Sequence, residues 1–169
     1  MKKQKGFSLI ELLIVVAIIL IIAAIAIPNL LRSRMSANEA SAVSSIRTIN
    51  TAQVTYNSTF GIGYGALSSL STPAAGCTVA TSTAACLIDS NLGDGTKSGY
   101  SFTSVPSNGA GTSSNPYVNF NSTAVPMSPG QSGQSDFCSD DSGVIRRDGT
   151  GATGAANPCS TNAAMQPIQ

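Results

Sequence analysis

An unbroken apolar run, Leu12 to Ile27, lies close to the amino terminus and follows directly on a single carboxylate, Glu11. Sixteen residues without a polar side chain cannot be a strand of ordinary length, and as a helix they would extend about 24 Å at 1.5 Å per residue. That falls short of the roughly 30 Å hydrocarbon thickness of a bilayer. Extending the helix back to Phe7 supplies the missing length and takes Glu11 into the apolar layer. There an acidic residue costs on the order of 3 kcal/mol at mid-span and less near an edge. A carboxylate in that place needs a partner.

Two processing readings compete. Lys2, Lys3 and Lys5 form a positive n-region, and Ala24-Ile25-Ala26 offers a small-residue site at which an ordinary secretory signal would be cut and discarded. Glu11 argues against this, because an h-region gains nothing from an embedded acid. Pro28-Asn29-Leu30-Leu31 also continues into helix-compatible sequence. The other reading is a cut on the cytoplasmic side, between Gly6 and Phe7, which removes the lysines and keeps the apolar run. It creates a new α-amine four residues before Glu11.

Lys5-Gly6-Phe7-Ser8-Leu9-Ile10-Glu11-Leu12 and the apolar residues after it resemble the class III prepilin signature of type IV pilins and type II secretion pseudopilins. The resemblance covers roughly the first third of the chain. It implies that a prepilin peptidase cuts after Gly6 and methylates the amine of Phe7, and that Glu11 pairs with the N-terminus of a neighbouring subunit. Ser8 stands where threonine is more usual in the family. Pro28 falls where these pilins carry a helix-kinking proline.

The chemistry of Glu11 points the same way independently. An amine and a carboxylate attract far more strongly in a low-dielectric bundle than in water, and either left alone suffers desolvation. Intersubunit pairing therefore favours assembly. Within one helix the new terminus and Glu11 are also about one turn apart, so an intramolecular pair is the alternative. An acid near a helix N-terminus is dipole-compatible in either case.

Orientation follows from the basic residues around the span: Lys2, Lys3, Lys5 and the initiating amine precede it, against Arg32 and Arg34 after it, a bias towards an N-terminus inside. The expected location is thus the inner membrane with a single pass, then an extracellular pilus or a periplasmic pseudopilus. Most of the chain would be extracytoplasmic, and four cysteines, Cys77, Cys86, Cys138 and Cys159, suit that compartment as two disulfides. Of the three possible pairings, Cys77 with Cys86 and Cys138 with Cys159 close the shortest loops. Zinc is the rival use of these cysteines, but no short Cys pair and no His is present.

Composition matters mainly for what it withholds. The 42% hydrophobic content is concentrated in the first 31 residues, and the remainder has few aromatics and no Trp, so one modest core is expected. The formal charge is +1, and loss of Lys2, Lys3 and Lys5 leaves −2, which gives no footprint for nucleic acid.

Beyond Pro28 the periodicity predicts continued helix to about Thr59, with one apolar face made of Leu31, Met35, Ala40, Val43, Ile46, Ile49, Val54 or Gln53, Tyr56 and Phe60. Pro28 removes a backbone donor and clashes one turn back, so a bend there, or a boundary between two helices, is expected. Gly61-Ile62-Gly63-Tyr64-Gly65 ends the helix. Short helical turns are expected at 66–70 and 84–92. From Gly99 the pattern becomes extended: Tyr100 to Ser104, Tyr117 to Phe120, Ser135 to Cys138 and Val144 to Arg146, separated by Pro/Gly/Ser loops, with a hairpin turn at Asp140-Asp141-Ser142-Gly143.

The resulting expectation is an α+β pilin fold, a long N-terminal helix packed on a three- or four-stranded antiparallel sheet. Its parts are a leader at 1–6, an assembly helix at 7–31, an amphipathic half at 32–60, a connecting region at 61–98, a sheet at 99–148 and a tail at 149–169. The resemblance implies a disulfide-bounded loop near the C-terminus.

Catalysis finds little support. Without His no Ser-His-Asp or Cys-His arrangement forms, and Lys97 is the sole lysine after the leader, with no dyad signature beside it. Asp136, Asp140, Asp141 and Asp148 suggest calcium by their chemistry, but the alternating ligand ladder is missing and turn capping accounts for them. No phosphate loop occurs, so no cofactor is expected and assembly energy must come from a separate ATPase. Tyr56, Phe60 and Tyr64 are spaced for stacked rings or, more simply, for core packing.

The function expected is a structural subunit of a type IV pilus. Its expected partners are further copies of itself, the prepilin peptidase, the pilus assembly machinery and the inner membrane. A type II secretion pseudopilin and a membrane-anchored extracytoplasmic enzyme or binding protein are the alternatives.

Overall fold

The computed structural model describes residues 7–73, 76–149, 159 and 165–168. The leader 1–6, with Gly6 and the three lysines, lies outside the described residues, as does most of the tail. The chain divides into two compact units, Met1–Arg34 and Met35–Gln169.

One helix, α1 (Leu9–Phe60), runs 52 residues and contains Pro28 without interruption, so the alternative of two separate helices does not occur. The lost N–H and the clash one turn back are confined to the turn before Pro28, and the helix runs continuously on both sides of it. The first unit is the apolar portion of α1, and its side chains from Phe7 to Arg34 are almost all exposed.

In the second unit the remainder of α1 is joined, among the described residues, by two single-turn helices, α2 (Leu67–Leu70) and α3 (Ser90–Gly93), and six strands: β1 (Thr96–Lys97), β2 (Tyr100–Ser107), β3 (Asn119–Pro126), β4 (Asp136–Asp140), β5 (Arg146–Asp148) and β6 (Gln166–Pro167). The strands form one antiparallel sheet in sequence order. The α+β class is as expected. The sheet is larger than the expected three or four strands because two-residue strands add at each edge, and a pair that short carries no readable alternation. The helical turn expected at 84–92 shrinks to α3, where Asp89 caps the helix by accepting from the Leu92 amide at 2.9 Å.

A single core joins α1 to the sheet: Ala42, Ile46, Ile49, Ala52 and Tyr56 meet Leu67, Leu70, Leu92, Tyr100, Phe102, Ala124 and Phe137. Each fully buried large apolar side chain contributes about 1.5–3 kcal/mol. The strand β2 alternates as a half-buried strand should, with Tyr100, Phe102 and Ser104 inward and Ser101, Thr103 and Val105 outward. By contrast, β3 is buried continuously from Phe120 to Ala124. Its Thr123 lies opposite Cys138 in the sheet, which belongs to a small buried cluster with Cys159 and Met165. Cys138 bonds Cys159, and Cys77 bonds Cys86.

Gly63 fixes the path of the chain just after the helix. Its φ is +90°, and an added Cβ would run into the backbone of Tyr117, with which Gly63 forms a parallel bridge. Only glycine meets both requirements.

Candidate assembly helix and its supporting unit

The residues singled out for assembly lie in the first turns of α1. The Leu12 amide donates to the Ser8 carbonyl at 3.2 Å, so the helix is closed one turn before the apolar run, and Glu11 occupies its first turn. Phe7 and Leu9 are each 80% exposed, and Ile10, Leu12, Leu13 and the aliphatic residues to Leu31 are exposed too. α1 is long and apolar enough to cross a membrane by length and composition, and none of its most apolar window is buried. An apolar surface of this extent is not stable against water; it requires lipid or other protein around it. Among the described residues no donor reaches Glu11. Gly6, the other side of the expected cleavage, lies outside the described residues.

In the second unit, sequence periodicity located the helix but not its chemistry. Gln53 is fully buried and Val54 is 63% exposed, which settles the open choice at that position in favour of the polar residue. The Gln53 amide donates from Nε2 to the Gly65 carbonyl at 2.6 Å and to Ser104 Oγ at 2.9 Å, and its Oε1 accepts from the Gly65 amide at 2.8 Å. The hydroxyl chain continues from Ser104 to Ser122 at 2.9 Å, and Asn50 Nδ2 donates to Ser139 Oγ at 2.8 Å. The helix is therefore pinned to β2 and β4 directly, and to β3 through Ser104, by polar staples as well as by apolar contact. Asn50, which the periodicity places off the apolar face, belongs to this interface, whereas Ala40 and Leu31 are exposed.

A second clamp comes from Glu39. Its Oε1 accepts from the amides of Gln134 and Ser135 at 2.9 and 3.1 Å, and its Oε2 lies 3.7 Å from an Arg147 nitrogen. Arg147 Nε also donates to Ser135 Oγ at 2.8 Å, and Asn38 Nδ2 to the Ser132 carbonyl at 2.7 Å. These contacts hold the β3–β4 loop against α1. Sequence reasoning missed Glu39; the only available signal was an acid set beside the apolar face in an otherwise weakly charged helix.

Electrostatics here follow burial. The Tyr100 hydroxyl, donating to the Ser135 carbonyl at 3.0 Å, titrates well above the usual tyrosine range, chiefly because it is desolvated and further because Glu39 and Asp136 disfavour a phenolate. Burial also raises Tyr56, whose hydroxyl donates to the Ser82 carbonyl at 2.6 Å. Asp89 is held below the usual carboxylate range, first by the Leu92 amide and then by Lys97, whose Nζ is 3.0 Å away.

The aromatic residues pack rather than stack in series. Tyr56 and Phe60 have ring centroids 4.9 Å apart, while Tyr64 turns away to an edge contact with Phe120 at 4.7 Å. Asp140 accepts from the Ser142 amide and hydroxyl at the hairpin turn.

Residues 1–27 match the family described as the prokaryotic N-terminal methylation motif. The chain is 64% identical over 39 residues, 23% of its length and 30% of the relative's, to the type IV wide pilus major component PilA4 of Thermus thermophilus. It is 45% identical over 54 residues, 32% of its length and 24% of the relative's, to the type IV major pilin protein PilA of Myxococcus xanthus. The chain thus spans less than a third of the length of either relative. No solved structure matches. The first 27 residues carry the prokaryotic N-terminal methylation motif, and in its N-terminal helix the chain is similar to type IV major pilins.

Proposed function

We propose that the chain is a structural subunit of a type IV pilus, held in the inner membrane as a precursor and polymerised through its N-terminal helix. The observation that carries this reading is the almost wholly exposed apolar portion of α1 with Glu11 in its first turn. Such a surface has two natural environments, a bilayer and a bundle of like helices, and transfer between them is assembly. The similarity of this same stretch to major pilins supports it.

In this scheme a prepilin peptidase cuts between Gly6 and Phe7 and methylates the amine of Phe7. Glu11 then sets register by pairing with the N-terminus of an adjacent subunit, a charge pair strengthened by the low-dielectric surroundings. Pro28 supplies a point of compliance within the helix. The second unit, braced by Cys77–Cys86 and Cys138–Cys159, faces solvent and makes lateral contacts. A separate ATPase drives the process.

Shearing cells and analysing the released protein by mass spectrometry tests the scheme. The expected product is a fibre subunit beginning with N-methylated Phe7. A product beginning after Ala26, or one confined to the periplasm in short assemblies, overturns it in favour of a signal-cleaved protein or a pseudopilin respectively.

A further inference from the structure

The loop between β2 and β3 contains the chain's sole Asn-Gly pair, Asn108-Gly109. Two local requirements put those residue types there. Asn108 has φ of +55°, a left-handed conformation that asparagine tolerates better than most side chains. Gly109 lies so close to the Pro116 carbonyl and the Tyr117 backbone that an added Cβ would collide with both. The turn is therefore built from the dipeptide in which a side-chain amide is followed by the least hindered backbone nitrogen.

Both residues are exposed, and among the described residues the Gly109 N–H meets no acceptor. One feature holds the carboxamide in place: Asn108 Nδ2 donates to Asn119 Oδ1 at 2.7 Å. The backbone adds a weaker tie, the Val118 amide donating to the Asn108 carbonyl at 3.3 Å.

We propose that Asn108 is a site of intramolecular deamidation, and that Asn119 is the residue that restrains it. Hydroxide removes the Gly109 amide proton, and the nitrogen attacks Asn108 Cγ. The new N–Cγ bond closes a five-membered succinimide as the Cγ–Nδ2 bond breaks, and ammonia leaves after taking a proton from water. Water then opens the ring at either carbonyl, giving aspartate or isoaspartate. The net change is amide plus water to carboxylate and ammonium, with no change in oxidation state. The attack requires the carboxamide to swing over the following nitrogen, so the reaction proceeds from loop conformations in which the Asn119 hydrogen bond is broken. The product carries a new negative charge at an exposed loop, and isoaspartate also lengthens the backbone by one carbon.

The test is to incubate the purified full chain in detergent at mildly alkaline pH, then digest it and map each asparagine by mass spectrometry, with an isoaspartyl methyltransferase assay for the isomer. Asn108 is expected to convert ahead of the ten other asparagines, yielding both products. Asn119→Ala is expected to accelerate it about three- to tenfold, the fold-change a net hydrogen bond is worth, without changing the rate at Asn57. Melting of that variant, followed in parallel, confirms that it remains folded. Conversion at Asn50 or Asn57 while Asn108 stays an amide overturns the site. An unchanged rate in a folded Asn119→Ala variant overturns the restraint.

Discussion

The two units of the chain use apolar residues in opposite ways. In Met1–Arg34 nearly every described apolar side chain is exposed and none contributes to a core, whereas in Met35–Gln169 large apolar residues are few and most of those described are buried or half-buried. The second unit makes up the shortfall with hydrogen bonds: Gln53, Asn50, Ser104, Ser122 and Ser139 sit between helix and sheet where leucines would stand in a larger protein. The lesson is that hydrophobic content divides by environment. The first unit's apolar surface needs lipid or other protein around it, and the second's is rationed to a core that needs polar staples for specificity.

The comparison breaks most dramatically at Glu11. Glu11→Ala is expected to reduce sheared fibre at least about tenfold, the effect of losing a charge-assisted contact of roughly 1.4 kcal/mol or more. The second unit's melting temperature should not move. Fibre yield equal to wild type would sink the assembly role of the carboxylate.

Within the second unit, Gln53→Leu is the sharpest probe. It leaves the Gly65 amide and carbonyl and the Ser104 hydroxyl short of a partner in a buried place, at a cost of about 3–4 kcal/mol. Urea unfolding should show this with fibre subunit contacts untouched. Replacing Cys138 and Cys159 by serine opens a loop with a sequence separation of 21 and is expected to cost about 3 kcal/mol, against about 2.5 kcal/mol for Cys77 and Cys86, separated by 9. Comparing reduced and oxidised thermal melts of the two double variants measures both.

The smallest effects are those of pH. Asp89 has a lowered folded-state value, so its stabilisation is present above the ordinary carboxylate range and is lost as pH falls through the folded value. Because the pair with Lys97 is half exposed, Asp89→Asn should flatten the acid limb by no more than about 0.5 kcal/mol. Tyr100 works in the other direction. Its raised value means stability is complete below the ordinary tyrosine range and declines once pH passes it, since only the unfolded chain ionises readily. Tyr100→Phe should remove part of that alkaline decline in a series of melts.

Much of this architecture was legible in the residues. The apolar run with Glu11, the 3.6-residue pattern through Tyr56, the alternation of Tyr100, Phe102 and Ser104, and the turn at Asp140 to Gly143 each carry their own periodicity or turn chemistry. What was not legible depends on partners distant in sequence. Gln53 looks like an ordinary surface residue until Gly65 and Ser104 arrive. Glu39 acquires its role from amides 95 and 96 positions away. The continuous burial of β3 has no local sign, since Asn121, Ser122 and Thr123 are polar residues that sequence would place on a solvated face. β6 escaped notice since Gln166-Pro167 is too short to show any pattern.

The sheet's two borders have a consequence for any crowded array of such molecules. β1 offers only Thr96 and Lys97, and β6 only Gln166 and Pro167, the last with no N–H to give. A neighbour's strand laid against either border would therefore meet a two-residue strand first, and the longer free stretch is the part of β2 that runs past β1 to Ser107.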